Sequence, residues 1–124
     1  MIDHLKLHVR DIARSRAFYE AALAPLGYRV MLETAPGVVG MGADRPDFWL
    51  ALDPEAAGFA HVAFRVDTTG LVDAFHAAAL DAGGRDNGPP GPRPQYHPAY
   101  YGGFVLDPDG NNVEAVCHEH GAPA

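Results

Sequence analysis

Polar and apolar residues alternate over residues 4–9, with His4, Lys6 and His8 on one face and Leu5, Leu7 and Val9 on the other. Period two predicts a strand whose faces meet different environments. The period then lengthens. Asp11 has the side chain of a helix N-cap, and Ala13, Ala17, Phe18, Ala21 and Ala22 mark one side of a helix ending before Gly27. The pattern recurs with a strand over residues 61–66. A helix then starts near Thr69 or Gly70, carries Leu71, Val72, Phe75, Ala78 and Ala79, and stops at Gly83 and Gly84.

The recurrence extends to identities. A shift of 57 positions lays His4 over His61, Val9 over Val66, Ala17 over Ala74 and Phe18 over Phe75. Ala21, Ala22, Leu23 and Gly27 then fall on Ala78, Ala79, Leu80 and Gly84 in the same frame. Short strand-like stretches follow each helix: residues 28–33, 38–41 and 48–52 in the first half, 103–106 and 112–118 in the second. The last two are joined by a turn at Asp107, Pro108, Asp109 and Gly110. Between the second helix and residue 100 no plain strand signal stands.

An internal repeat of this kind predicts an α+β chain, one domain over residues 1–124, built from two βαβββ modules (1–57 and 58–120). Their sheets lie side by side, the helices cover the apolar outer faces, and the polar faces line a shared cavity. On the last strand Asn112, Glu114, Val116 and His118 share one face, while Val113, Ala115 and Cys117 share the other. The apolar set belongs against the helices, which turns Glu114 towards the cavity. His4 and His61 hold the same place in their strands, so pseudo-symmetry brings both to the wall. Two imidazoles and one carboxylate suit Fe(II), Mn(II) or a similar divalent ion, with positions left open for water and substrate.

Charge narrows the classes. The formal net charge of -7 argues against non-specific nucleic-acid binding, which needs clustered cations, and disfavours anionic membranes. No apolar run approaches the roughly 20 residues of a membrane helix, and the start of the chain lacks signal-peptide regions. The single cysteine, Cys117, cannot form an internal disulfide, and alternation turns it towards the helices as a small buried hydrophobe. Together these predict a cytoplasmic protein.

The residues also resemble a known family. His4-Leu-Lys-Leu-His-Val-Arg-Asp11, Ser15-Arg-Ala-Phe-Tyr19, Leu26-Gly27, Ala60-His-Val-Ala-Phe64 and Leu106-Asp-Pro-Asp-Gly-Asn-Asn-Val-Glu114 are similar to motifs of the vicinal oxygen chelate superfamily. This superfamily includes glyoxalase I, bleomycin-resistance proteins, fosfomycin thiol transferases and extradiol dioxygenases. The resemblance covers nearly the whole chain. It implies paired βαβββ modules in an incomplete barrel, with a metal on His4, His61 and Glu114. Where glyoxalase I relatives carry a fourth ligand, this chain has Trp49 or an apolar neighbour. Three ligands resemble the dioxygenases and the thiol transferases, and Lys6, the only lysine, leaves no cationic cluster for a phosphonate.

The resemblance therefore implies a metal-dependent enzyme, with Fe2+ or Mn2+ favoured and Zn2+, Ni2+ or Co2+ as alternatives. Dioxygenase chemistry stands ahead of glyoxalase-like isomerase or lyase and thiol-transferase chemistry, and a metal-free ligand-binding protein is the alternative of another class. A homodimer is implied, with the site formed in one chain or between two. Residues 87–98 hold five prolines and lead into Tyr100 and Tyr101, which reads as a stiff binding loop. Here His97 or Tyr101 is the candidate for proton transfer. His8 and His118 are candidates for orienting the ligands. Trp49, Phe48 and Met41 would give the cavity an apolar wall, for a small substrate that is partly aromatic or hydrophobic.

Overall fold

A computed structural model describes residues 1–120; residues 121–124 of the predicted domain lie outside them. The first half forms β1 (Leu5–Val9), α1 (Ile12–Leu23), β2 (Arg29–Ala35), β3 (Val38–Gly42) and β4 (Phe48–Leu52). The second forms β5 (His61–Arg65), α2 (Thr69–Asp81), β6 (Arg85–Pro92), β7 (Tyr101–Leu106) and β8 (Asn112–Cys117). Each half is a four-stranded mixed sheet, ordered β1-β4-β3-β2 and β5-β8-β7-β6, so the βαβββ modules are present as read.

Local chemistry accounts for the helix ends. Asp11 accepts from the Arg14 amide at 3.1 Å and Thr68 from the Leu71 amide at 3.2 Å, so both helices carry a side-chain N-cap. The buried stripe of α2 holds Val72, Phe75, His76 and Ala79. That of α1 holds Ser15, Phe18, Tyr19, Ala22 and Leu23, which corrects the expected stripe: Ala13, Ala17 and Ala21 face solvent. Alanine fits either environment, and the larger Phe18, Tyr19 and Leu23 decide which side is buried.

Residues 85–92 correct the reading of a loop beginning at residue 87. They form β6 despite Pro89, Pro90 and Pro92, because β6 is an edge strand that pairs only with β7. Its register shifts between Asp86 and Gly88 and again between Gly88 and Gly91, so Pro89 and Pro90 fall in a break of the ladder, while Pro92 is level with Tyr101 at its end. The connecting loop shortens to residues 93–100.

The modules meet through their helices and through the turn after β7. Ring contacts tie the core across the halves: Phe48 lies 5.3 Å from Phe64, and Tyr28 5.6 Å from the same ring. Tyr19 of α1 donates to Asp107 Oδ2 at 2.6 Å in a fully buried pair. Asp107 also accepts from the Asp109 amide and from the Asn111 amide and side chain, at 2.8–2.9 Å. Arg10 Nε donates to Asp109 Oδ1 at 3.0 Å. The turn that reverses the chain between β7 and β8 therefore also latches module two onto module one.

Candidate functional site

Strand register sets which side chains share a face. In the second sheet His61 is level with Asn112, Ala63 with Glu114, and Glu114 with Phe104. His61, Asn112, Glu114, Phe104 and Gly102 thus lie on one face, while Val113, Ala115, Cys117 and Tyr101 turn to α2. The expectation for Glu114 and Cys117 holds: one lies on the open side of the sheet, the other in the core.

Glu114 is only 2% exposed, yet its carboxylate is satisfied by side chains. Its Oε1 lies 2.9 Å from His61 Nε2, and its Oε2 accepts a short hydrogen bond from the Tyr100 hydroxyl. Burial first, then the hydrogen bond and charge of Glu114, push the Tyr100 phenol above the usual tyrosine range, so it stays a donor at neutral pH. Gly102 makes this possible. A Cβ there would lie 3.0 Å from the Tyr100 ring and 3.2 Å from Glu114 Oε2, so the bare backbone is the groove in which the ring lies.

The predicted site residues separate into three groups. His61 and Glu114 are together. His4 is elsewhere: its Nδ1 pairs with Asp3 Oδ1 at 2.7 Å. It lines a cavity of about 450 Å³ walled by first-module residues, among them Lys6, Thr34, Arg45 and Trp49. Among the described residues of one chain, no three His, Cys, Asp or Glu side chains converge as a metal cage. A second cavity, about 390 Å³, runs between the modules and reaches His61 from Ile2, Asp3 and Leu5. Two donors are a partial ligand set for a divalent ion, so one chain as it stands does not fit a resident metal.

The loop residues are redistributed as well. Tyr101 is corrected: it lies level with Cys117 on the helix side and donates to Asp73 Oδ1 of α2 at 2.8 Å. Tyr100, one residue earlier, is the phenol at the carboxylate. His97 does not touch Glu114 or His61; its ring packs 5.3 Å from Tyr100 and its Nδ1 accepts from the Ala99 amide at 3.1 Å. The neutral ring then carries its proton on Nε2, which donates to His118 Nδ1 at 2.8 Å. His118 thus supports His97, while His8 pairs with Asp53 Oδ2 at 3.0 Å, away from both ligands. Of the expected wall residues, Trp49 lines the first-module cavity and Phe48 reaches the cavity between the modules, while Met41 is fully buried. Phe48 and Met41 are buried on the helix side, because register pairs them with each other one position out of phase with Trp49.

Tyr100, Phe104 and Arg93 complete the open face together with Asn112; the strand pattern placed Asn112 beside Glu114 but singled out none of the four as a site residue. Parity was the available signal for Phe104: counting back from Leu106 by twos puts it opposite Glu114.

The model of the Glyoxalase/Bleomycin resistance protein/Dioxygenase superfamily matches residues 1–115. A glyoxalase/bleomycin resistance protein from Albidiferax ferrireducens superposes with a TM-score of 0.79 at 26% identity, over 93% of this chain and 96% of that one. A glyoxalase/bleomycin resistance protein/dioxygenase family enzyme from Burkholderia phytofirmans gives 0.73 at 21% identity, covering 94% and 97%. A glyoxalase-related enzyme from Fulvimarina pelagi gives 0.70 at 20%, covering 94% and 87%. No curated protein matches the sequence.

Proposed function

The chain belongs to the Glyoxalase/Bleomycin resistance protein/Dioxygenase superfamily, and from that premise we propose a divalent-metal-dependent enzyme acting on a small, partly aromatic substrate. The observation that carries this reading is the buried Glu114 carboxylate, held by Tyr100 and paired with His61 on an otherwise open sheet face. A carboxylate removed from water and aimed at an imidazole supplies two of the three donors of a 2-His-1-carboxylate set. His4 of a second copy supplies the third donor, in a homodimer. Two features support that assembly: the His4 and His61 side chains are 55% and 52% exposed, and Ile2, Leu5 and Leu52 leave apolar surface uncovered.

Such a donor set favours Fe(II) or Mn(II), with Zn(II), Ni(II) or Co(II) as alternatives, and the bound ion would orient and polarise vicinal substrate oxygens. The chain's own residues do the rest. Tyr100 fixes Glu114 and holds a proton beside it. His97 and His118 orient Tyr100 and connect it to solvent. Trp49 offers a flat apolar surface in place of a fourth ligand. Dioxygenase chemistry leads, with isomerase, lyase or thiol transfer on the same site behind it. The single buried thiol of Cys117 suits a reducing cytoplasm.

One observation favours a second reading, that of a metal-free binding protein: the Trp49 cavity exists within one chain without the triad.

Mixing His4→Ala and Glu114→Ala chains tests the proposal. Each variant alone lacks one ligand at every site. If sites form between copies, a mixed dimer restores one complete site, so a randomly exchanged 1:1 mixture recovers about a quarter of the wild-type metal content. Recovery near zero, with wild type loaded, places the triad within one chain and refutes the shared site. No metal in wild type under any loading leaves the binding-protein reading.

A further inference from the structure

The open face of the second sheet carries a cation that the metal reading does not use. Arg93 lies in the loop after β6 and folds back over the sheet, its guanidinium 5.4 Å from the centre of the Phe104 ring. It can lie there because the rows beside Phe104 end in glycine. Gly88 is level with Phe104 and Gly91 with Gly102, and a Cβ at either would meet the guanidinium at 3.2–3.3 Å. Nη1 donates to the Gly91 and Pro92 carbonyls and Nη2 to the Pro89 carbonyl. These acceptors are neutral. Among the described residues no carboxylate pairs with Arg93, and its Nε edge has no hydrogen-bond partner.

Arg93 lines a cavity of about 250 Å³ with Asn87, Tyr96, Phe104 and Asn112. Asn112 sits level with His61, and its side-chain Oδ1 has no partner among the described residues. A half-buried guanidinium with a free edge, an aromatic floor and an unsatisfied amide are thus grouped beside Glu114 and His61.

We propose that this cavity is the anion subsite of the substrate: Arg93 takes a carboxylate, Phe104 supports the hydrocarbon next to it, and the Asn112 amide meets a neighbouring hydroxyl. The substrate class is then a small hydroxy- or oxo-carboxylic acid. The free Nε edge matches the two oxygens of a carboxylate. A phosphate dianion would want a second cation, and no other arginine or lysine lines the cavity. The inference rests on this face being the substrate site, but it concerns residues that are not metal ligands.

Binding of mandelate to the purified protein tests it, with mandelamide as the neutral isostere and inorganic phosphate as the competing anion. Calorimetry gives the affinity, and the tyrosine ring signals in NMR locate the site. Mandelate is expected to bind at least about tenfold more tightly than mandelamide and phosphate, and to lose about tenfold or more in Arg93→Gln. Because Arg93 also ties down three carbonyls, its loss can loosen the loop. Asn112→Asp is the second variant: it leaves those contacts in place, adds a negative charge to the cavity, and is expected to abolish mandelate binding. Equal affinity for acid and amide, equal affinity for phosphate, or unchanged mandelate binding in both variants overturns the proposal. Metal content measured in parallel on Arg93→Gln keeps the two readings apart. Metal retained with mandelate binding unchanged refutes the anion subsite alone.

Discussion

Tyr19→Phe isolates the latch between the modules, because it removes one oxygen and leaves the ring contacts to Phe18 and Phe48 in place. The lost hydrogen bond runs 2.6 Å to a carboxylate that is 3% exposed, from a phenol that is 0% exposed. Hydrogen bonds to a charged partner contribute about 1.5–3 kcal/mol. Asp107 keeps its three other donors, from Asp109 and Asn111, so the carboxylate is not orphaned and the expected cost is about 2 kcal/mol. For a chain of this length that is a fall in Tm of about 6–10 °C. Asp107→Ala should cost more, about 3–4 kcal/mol, because it strands the buried phenol and the donors of Asn111 together.

The same pair sets a pH signature. Burial first, then the Asp107 charge and hydrogen bond, hold the Tyr19 phenol well above its ordinary value of 10.0. An unfolded tyrosine ionises near that value and the folded one does not. The stabilisation is therefore complete below about pH 10 and is lost as pH rises towards the folded value. Urea unfolding of wild type and variant at pH 8 and at pH 11 checks both statements: the gap between them should be about 2 kcal/mol at pH 8 and smaller at pH 11. A gap below about 0.5 kcal/mol at pH 8, or one that widens at high pH, would refute the latch as drawn.

Other consequences are independent of the latch. Gly84→Ala places a Cβ 2.5 Å from Val105 Cγ1 and 2.8 Å from the Phe18 ring, so it should destabilise by about 2–3 kcal/mol in denaturant titration, while Gly83→Ala, with open space around it but a φ of +99°, should cost about 1 kcal/mol from backbone strain alone. Ultraviolet titration should show Tyr28 ionising at about 12, held there by burial and by its 2.8 Å bond to Asp47. Tyr28→Phe should remove that step. Tyr100→Phe takes a donor from Glu114, and under the metal reading should weaken metal affinity by about 10–100-fold while Tyr101→Phe does not.

Much of the fold was legible because strand parity and helix period are local properties. The repeat, the N-cap at Asp11, the placement of Cys117 and the turn of Glu114 away from the helices all follow from local side-chain chemistry. Reading fails where a residue is compatible with two environments. Alanines gave α1 the wrong stripe, since alanine costs little on either side. Prolines masked β6, since only the sheet order shows that this strand is an edge and needs no second ladder. Tyr101 and Tyr100 are equally good phenols, and a shift of one residue in where β7 starts exchanges the core for the site.

The sequence by itself determines the module, its repetition, and the chemistry each open face carries: imidazole and indole on one, imidazole and carboxylate on the other. Which of these groups meet is decided only in three dimensions. The register of β5 against β8 brings His61 to Glu114, a glycine at residue 102 admits Tyr100, and the latch of Tyr19 and Arg10 on the turn fixes how the modules sit. His4 is left apart from the pair because that docking depends on contacts between residues about ninety positions apart. Spacing along the chain carries no information about such contacts.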